Sequence, residues 1–259
     1  MLPEKLGRKI LKKHQPKVVL IIGDARKSKT QSLCQNILSK KFEVRSNDYS
    51  AGDNYQNVLK TVLGVKSNHS SGLLRKGLKT YFGSRQYPDI LLLNLWLKRP
   101  GETKKVLDFF GQVDLVLLTS VLESPDYKNN FKSDRSFQKE VKEILGEKNK
   151  VKLFAINSDD ERLKKTLNRF KGESVRIGLD QSSSFKMEGL SMGTEGIKGA
   201  SFKLNYDNSH IPIRIPWAST VDDVYSSLFS AYVGVYFGLN LVQISRDIEI
   251  ADFQKKEQK

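Results

Sequence analysis

The stretch VVLIIGDARKSKTQSL, Val18 to Leu33, decides the fold of this chain. Five apolar residues run without interruption from Val18 to Ile22, which is typical of a parallel strand buried on both faces. Gly23 ends this strand, and apolar residues recur at helical spacing from Thr30 onward. A strand, a short glycine-led loop and a helix, in this order, are the layout of a phosphate-binding loop.

The loop carries the groups that such a site requires. Backbone N–H groups of the loop and of the helix N-terminus offer donors and partial positive charge to a phosphate chain. Lys27 would reach the terminal phosphates, and the hydroxyl of Ser28 would hold Mg²⁺. The candidate nucleotide-binding residues are therefore Gly23, Asp24, Ala25, Arg26, Lys27, Ser28 and Lys29.

The loop departs from the usual pattern at Arg26, which stands where a second glycine commonly precedes the lysine. A Cβ there could force a different loop path, since glycine often supplies a positive φ at such points. An arginine could also pair with a phosphate itself. The alternative interpretation is an ordinary strand-to-helix turn in which Arg26, Lys27 and Lys29 are only solvated.

Composition indicates a core-forming chain. The 259 residues suffice for one large α/β domain or two small ones, and 38% of them are hydrophobic and 28% charged. No apolar run approaches the roughly 20 residues that span a bilayer, and the N-terminus lacks the apolar core of a secretion signal. The single cysteine, Cys34, excludes an internal disulfide, and no zinc-ligand spacing is present. These features predict a cytoplasmic protein.

The net charge of +15 is unevenly placed, since residues 1–45 hold 12 Lys/Arg and 3 acids. Such a patch suits phosphates, nucleic acid or an anionic membrane surface. Residues 3–14 predict a basic amphipathic helix with Leu2, Leu6 and Ile10 on one face. Through residues 1–15 this helix could lie peripherally on the inner membrane surface, or it could pack on its own domain. No RNA-binding aromatic motif or helix-turn-helix signature supports a nucleic-acid partner.

Strands alternate with helices along the first two thirds of the chain. Further strands are predicted at 42–45, 89–95, 113–119, 151–156 and 174–177. This alternation predicts a parallel sheet covered on both faces, whose ligands bind at the carboxyl ends of the strands. Asn94, Thr119 and Asn157 stand at such ends, on the same predicted edge as the loop from Gly23 to Ser28.

After residue 180 the pattern changes. Three short strands at 185–190, 200–206 and 211–215 predict a small antiparallel sheet, and helices near 221–237 and 241–252 close the chain. The predicted fold is α/β, with a P-loop-type parallel sheet, helices on both faces and a small antiparallel β-sheet. The predicted organisation is a basic helix (1–16), a single domain (17–252) and a tail (253–259).

With these elements placed, six stretches in order resemble the central ATP-binding domain of the Mur ligases. The resemblance covers about residues 17–245 and is greatest to the branch that adds D-alanyl-D-alanine to a UDP-muramoyl tripeptide. The stretches are GDARKSKT, DNYQNVLKTVLG, LLLNLWLKRPGE, VDLVLLTSV, AINSDD and YFGLNL. The resemblance implies ATP-dependent joining of a carboxylate to an amine during cell-wall precursor synthesis, with ATP and Mg²⁺ as cofactors.

The resemblance also implies roles for individual residues. Lys27 would contact the β- and γ-phosphates, and Ser28 would coordinate Mg²⁺. Asn157 would lie at the adenine. Asn54 falls on the asparagine-containing segment of the family and would make a polar contact to substrate.

At the metal positions the sequence departs from the family. Asn94 stands where the family has a metal-binding glutamate, and a neutral amide is a poor Mg²⁺ ligand. The histidine expected after the fourth strand is missing, with Glu123 or Asp126 as the available substitutes. Lys139 or Lys142 falls near the lysine that the family carbamylates to hold a second metal.

Two further departures bear on function. The segment Trp217–Thr220 replaces a Gly-x-His-Asn segment of the family, and only about 16 residues precede the first strand, so flanking substrate domains are expected to be missing.

Three hypotheses about function follow. The chain is a degenerate Mur-ligase-like domain that binds a nucleotide or cell-wall synthesis proteins without ligating; it is an active ligase or ATPase that works with partner chains; or it is a basic protein that binds nucleic acid.

Overall fold

The computed structural model describes most of the chain. The described residues are 2–23, 27–48, 54–65, 72–83, 86–96, 100–119, 134–167, 170–179, 181–193 and 199–251. Several predictions fall outside these ranges, namely those for Asp24, Ala25, Arg26, Glu123, Asp126 and the tail 253–259.

One continuous sheet organises the molecule. Its strands are β1 (Lys17–Gly23), β2 (Val44–Ser46), β3 (Ile90–Trp96), β4 (Val113–Leu118), β5 (Val151–Asn157), β6 (Ser174–Gly178), β7 (Phe185–Met192), β8 (Ala200–Tyr206) and β9 (Ser209–Ile215). Their order across the sheet is β2-β3-β1-β4-β5-β6-β7-β8-β9. Neighbouring strands are parallel from β2 through β7, and β8 pairs antiparallel with β7 and with β9.

The predicted α/β class, with a parallel sheet followed by antiparallel strands, is confirmed. The antiparallel strands do not form a separate sheet, because β7 pairs in parallel with β6 at Ile177↔Phe185. Hydrogen bonding therefore runs unbroken from β2 to β9. The pattern of apolar residues changes between the strands before β7 and the strands from β7 onward. This change in the sequence pattern could not reveal that β6 and β7 pair with each other.

Helices cover both faces of this sheet. Their bounds are α1 (Leu2–His14), α2 (Lys27–Leu38), α3 (Asn54–Val62), α4 (Leu73–Phe82), α5 (Glu102–Phe110), α6 (Asp134–Gly146), α7 (Glu161–Leu167), α8 (Val221–Tyr236) and α9 (Leu241–Glu249). Side chains of β1 point alternately to the two faces of the sheet and so contribute to two hydrophobic cores. The core shared with α1 and α3 contains Val18, Leu20 and Ile22. The core shared with α2 and α8 contains Val19 and Ile21.

Helix α1 is packed on the domain through its apolar face. Leu6 and Ile10 are buried, and Leu6 lies directly against Gly77 of α4, where an added Cβ would stand 2.7 Å from a Leu6 methyl carbon. The absence of a side chain at Gly77 therefore allows α1 and α4 to approach closely. Of the predicted apolar face, only Leu2 is exposed.

Two helix starts are defined by local polar residues. Helix α2 begins at Lys27, so the polar residues before Thr30 form its first turn. Asp160 caps helix α7, since its carboxylate accepts hydrogen bonds from the backbone N–H groups of Arg162 and Leu163. Within the described ranges, no helix is both long enough and apolar enough to cross a bilayer.

Candidate functional site

The carboxyl ends of four neighbouring strands form one edge of the sheet. The register sets Ile21 beside Asn94 and Gly23 beside Trp96, and the backbone N–H of Thr119 donates to the carbonyl of Ile22. Asn157 ends the next strand along. The predicted convergence of these strand ends on one edge is confirmed, and α2 begins at the same edge, four residues after Gly23.

Lys27 lies at the junction of β1 and α2. Its side chain is 2% exposed, its ammonium group donates to the carbonyl of Gly23, and Nζ lies 4.0 Å from the centroid of the Trp96 ring. The lysine is therefore not a solvated side chain. Ser28, the second residue of α2, is half-buried. Together they set one cation and one hydroxyl at the helix N-terminus, where the partial charge favours anions.

Lys29 ties the start of α2 to the start of α8. Its Nζ lies 2.5 Å from a carboxylate oxygen of Asp223, which also accepts from the backbone of Ser219 and forms a capping box with Thr220. Burial alone would raise the pKa of Asp223, but Lys29 and Ser219 outweigh it and hold this pKa below its ordinary value. The segment from Trp217 to Thr220 thus serves to cap α8.

A buried amide network fixes α2 to the ends of β2 and β3. Nε2 of Gln31 donates to Asn47 Oδ1 at 3.0 Å and to the carbonyl of Leu92 at 3.1 Å. Asn47 in turn exchanges hydrogen bonds with the backbone of Asn94, at 2.9 and 2.7 Å. Sequence reasoning missed Gln31 and Asn47, because isolated amides on a helix and in a loop carry no motif.

The side chain of Asn94 stands outside this network. It is 1% exposed, and neither its amide oxygen nor its amide nitrogen has a hydrogen-bond partner. Strand alternation turns it to the same face as Leu92 and Trp96, which is the face covered by α2. A buried polar group without a partner costs about 1–3 kcal/mol, so an arrangement of this kind points to a site that something else satisfies.

The two other predicted asparagines have their amides fully occupied. Asn157 donates to the carbonyl of Thr119 at 2.7 Å and accepts from the N–H of Asp159 at 3.0 Å. Asn54 is 4% exposed, donates to the Trp96 carbonyl at 2.6 Å and accepts from the Trp96 N–H at 3.0 Å. Asn54 also donates to Glu102. Both side chains connect strand ends and helix starts, while the substrate contact of Asn54 and the adenine contact of Asn157 stay predictions.

The two candidate lysines of α6 make their described contacts away from Lys27 and Ser28. The side chain of Lys139 is 77% exposed and lies 3.8 Å from Glu143 on its own helix. Lys142 lines a cavity of about 440 Å³ with Leu145 and Phe170, next to the start of β5 and therefore at the opposite edge of the sheet. The metal-ligand prediction for Lys139 or Lys142 does not fit this placement.

Unlike these two lysines, Glu140 of α6 is a buried charged residue. It is 2% exposed and accepts a hydrogen bond from the N–H of Gly101, which precedes α5. Burial raises the pKa of this carboxyl, and that hydrogen bond only partly opposes the rise. Within the described ranges, no three His, Cys, Asp or Glu side chains come together to hold a metal ion.

The residues present fit phosphate better than a protein-bound metal. A helix N-terminus and the Lys27 ammonium are suited to a phosphate chain. Ser28 and Asn94 offer only neutral oxygens, whereas Mg²⁺ is commonly held by a carboxylate together with the phosphates. A magnesium ion here would therefore depend on the oxygens of the nucleotide.

Comparison with known proteins gives structural likeness only. No protein-family model matches the sequence, and no curated protein matches it. Among solved structures, MurF from Acinetobacter baumannii superposes with a TM-score of 0.74 at 14% identity, over 99% of this chain and 51% of that one. MurF from Thermotoga maritima in complex with ADP gives 0.69 at 16% identity, over 94% and 51%.

The likeness extends beyond MurF. A pseudomurein peptide ligase type C from Methanothermus fervidus superposes with a TM-score of 0.63 at 16% identity, over 94% of this chain and 51% of that one. This chain spans about half the length of these solved structures. These superpositions show that the chain shares its fold with about half of the length of these Mur ligases.

Proposed function

We propose that this chain is a Mur-ligase-like domain that binds the phosphate chain of a nucleotide such as ATP, acts in cell-wall precursor synthesis, and does not itself carry out ligation. The observation that carries the proposal is the junction of β1 and α2. There Lys27 is buried at the carbonyl of Gly23, the N-terminus of α2 begins, and the amide of Asn94 lies unsatisfied. One structure with this fold is a complex with ADP.

Two placements favour binding over catalysis. Asn94 supplies no negative charge for a metal, and Lys142 lies at the opposite edge of the sheet. Transfer of a phosphoryl group depends on cations that neutralise developing charge. A nucleotide bound mainly by Lys27 and the helix N-terminus would be retained rather than turned over.

Isothermal calorimetry with ATP and with ADP, each with and without Mg²⁺, tests this proposal on the wild-type chain. We expect dissociation constants in the micromolar range and, because the protein offers no anionic metal ligand in the described site, only a few-fold dependence on Mg²⁺. Absence of binding under every condition would refute the proposal. Steady ATP turnover that requires Mg²⁺ would refute its non-catalytic part.

The substitution Asn94→Leu separates a binding role from a packing role. Leucine is close in size and removes two unsatisfied polar atoms, so the free energy of unfolding should rise by about 1–2 kcal/mol. Nucleotide affinity should fall about tenfold, because the buried amide is lost. Denaturant unfolding and calorimetry measure the two effects.

The matched control is Asn157→Leu, at a buried asparagine whose amide atoms are both hydrogen-bonded. It should lower the free energy of unfolding by about 1–3 kcal/mol, because the partner groups on Thr119 and Asp159 are left unpaired. A destabilised Asn94→Leu chain with unchanged nucleotide affinity would assign Asn94 to packing alone.

A further inference from the structure

The apolar face of α1 is not available to a membrane, because Leu6 and Ile10 belong to the core. The exposed apolar surface on this side of the molecule is on α4 instead. Leu74, Leu78 and Phe82 are 39%, 46% and 75% exposed. They stand four residues apart, so they share one side of the helix.

Basic residues border this stripe. Arg75, Lys76 and Lys79 are exposed on the same helix, and α4 contains no acidic residue. A stripe of large apolar side chains next to long cationic ones is the arrangement of a helix that lies in a membrane interface, since the cations can reach the headgroups while the apolar side chains enter the acyl boundary.

Helix α1 adds charge next to α4. Nζ of Lys13 donates to the carbonyl of Tyr81 at 2.6 Å and lies 5.1 Å from the centre of its ring, and Leu6 contacts Gly77, so the two helices lie side by side. Together they contain eight Lys/Arg and one acid, Glu4. We call the outer side of this pair the α1–α4 surface.

We propose that the α1–α4 surface binds an anionic lipid bilayer, with Leu74, Leu78 and Phe82 entering the interface. Charge complementarity favours an anionic bilayer as the partner of this surface. A second copy of the chain would bring the same excess of positive charge against it and be repelled, whereas anionic headgroups attract polybasic surfaces at close range. The inference does not depend on nucleotide binding.

Vesicle flotation tests the proposal, with phosphatidylcholine alone and with phosphatidylcholine mixed with phosphatidylglycerol. We expect at least tenfold stronger binding to the anionic vesicles, and weaker binding as salt rises. Equal binding to both vesicles, or no binding to the anionic ones, would overturn it.

Paired variants assign the binding to α4. The double substitution Leu78→Gln with Phe82→Gln should weaken vesicle binding about tenfold or more. Val242→Gln with Ile250→Gln, at residues that are 48% and 69% exposed elsewhere on the molecule, should leave it unchanged. If vesicle binding falls equally in both double variants, or in neither of them, the assignment of binding to α4 is contradicted.

Charge is tested by replacing Arg75, Lys76 and Lys79 with Gln, which should reduce affinity on the order of a hundredfold. Phe82→Trp then reports insertion, with an expected blue shift of emission on anionic vesicles. Sedimentation tests whether the same surface binds a second copy of the chain. If the wild type is a dimer and the Leu78→Gln, Phe82→Gln chain is a monomer, the surface binds a second copy and the lipid proposal is overturned.

Discussion

Replacing Lys27 by methionine should lower ATP affinity about a hundredfold or more while leaving the fold intact. The ammonium lies at the start of α2 and contacts the end of β1, and hydrogen bonds to charged groups contribute about 1.5–3 kcal/mol each. Methionine keeps the packing against Trp96 through its flexible thioether. Calorimetry with ATP measures the loss, and circular dichroism confirms the fold.

The control for this experiment is Lys40→Met, which removes an exposed lysine just after the same helix. It changes net charge by the same amount, so it accounts for long-range attraction between a basic chain and a polyanion. Only a selective loss in Lys27→Met supports a phosphate site at the loop. If the two variants bind ATP as tightly as the wild type, the loop does not hold the phosphate chain.

Replacing Asp223 by asparagine should cost about 2–4 kcal/mol of unfolding free energy. Asp223 is 2% exposed, pairs with Lys29, and completes the capping box of α8. Removing this carboxylate leaves the partly buried ammonium of Lys29 without its partner, and weakening the capping box adds about 1 kcal/mol. Urea unfolding at pH 7 measures the effect.

The neighbouring change Asp222→Asn is the matched control, because it removes one negative charge from the same helical turn, and it should cost less than about 1 kcal/mol. The pH dependence gives a second check. The folded pKa of Asp223 is lowered, so its stabilisation is present above the ordinary value of 3.8 and is lost as pH falls through the folded pKa. Asp223→Asn and the wild type should therefore converge in stability at low pH.

The features that could be predicted from the sequence are those that depend on short-range sequence patterns. The uninterrupted apolar run of β1 and the strand–helix alternation predicted the parallel sheet, and the strand ends correctly placed Asn94 and Asn157 on one edge. Each of these features depends on residues within one or two elements.

The remaining features depend on partners that are distant in sequence. The Lys29–Asp223 pair spans 194 positions, and Gln31 finds its partners on two other elements. Whether an asparagine amide is occupied, as in Asn54, or unsatisfied, as in Asn94, is decided by tertiary packing. A residue type at a strand end therefore indicates a location but not a role.

The attachment of α2 to α8 has a consequence for synthesis on the ribosome. Lys29 and the carbonyl of Thr30 are held by Asp223 and Ser230, and those residues emerge long after the loop itself. Nascent chains that end before α8 lack both of these contacts. The first turn of α2 therefore acquires them only after α8 has been synthesised, about 190 residues later.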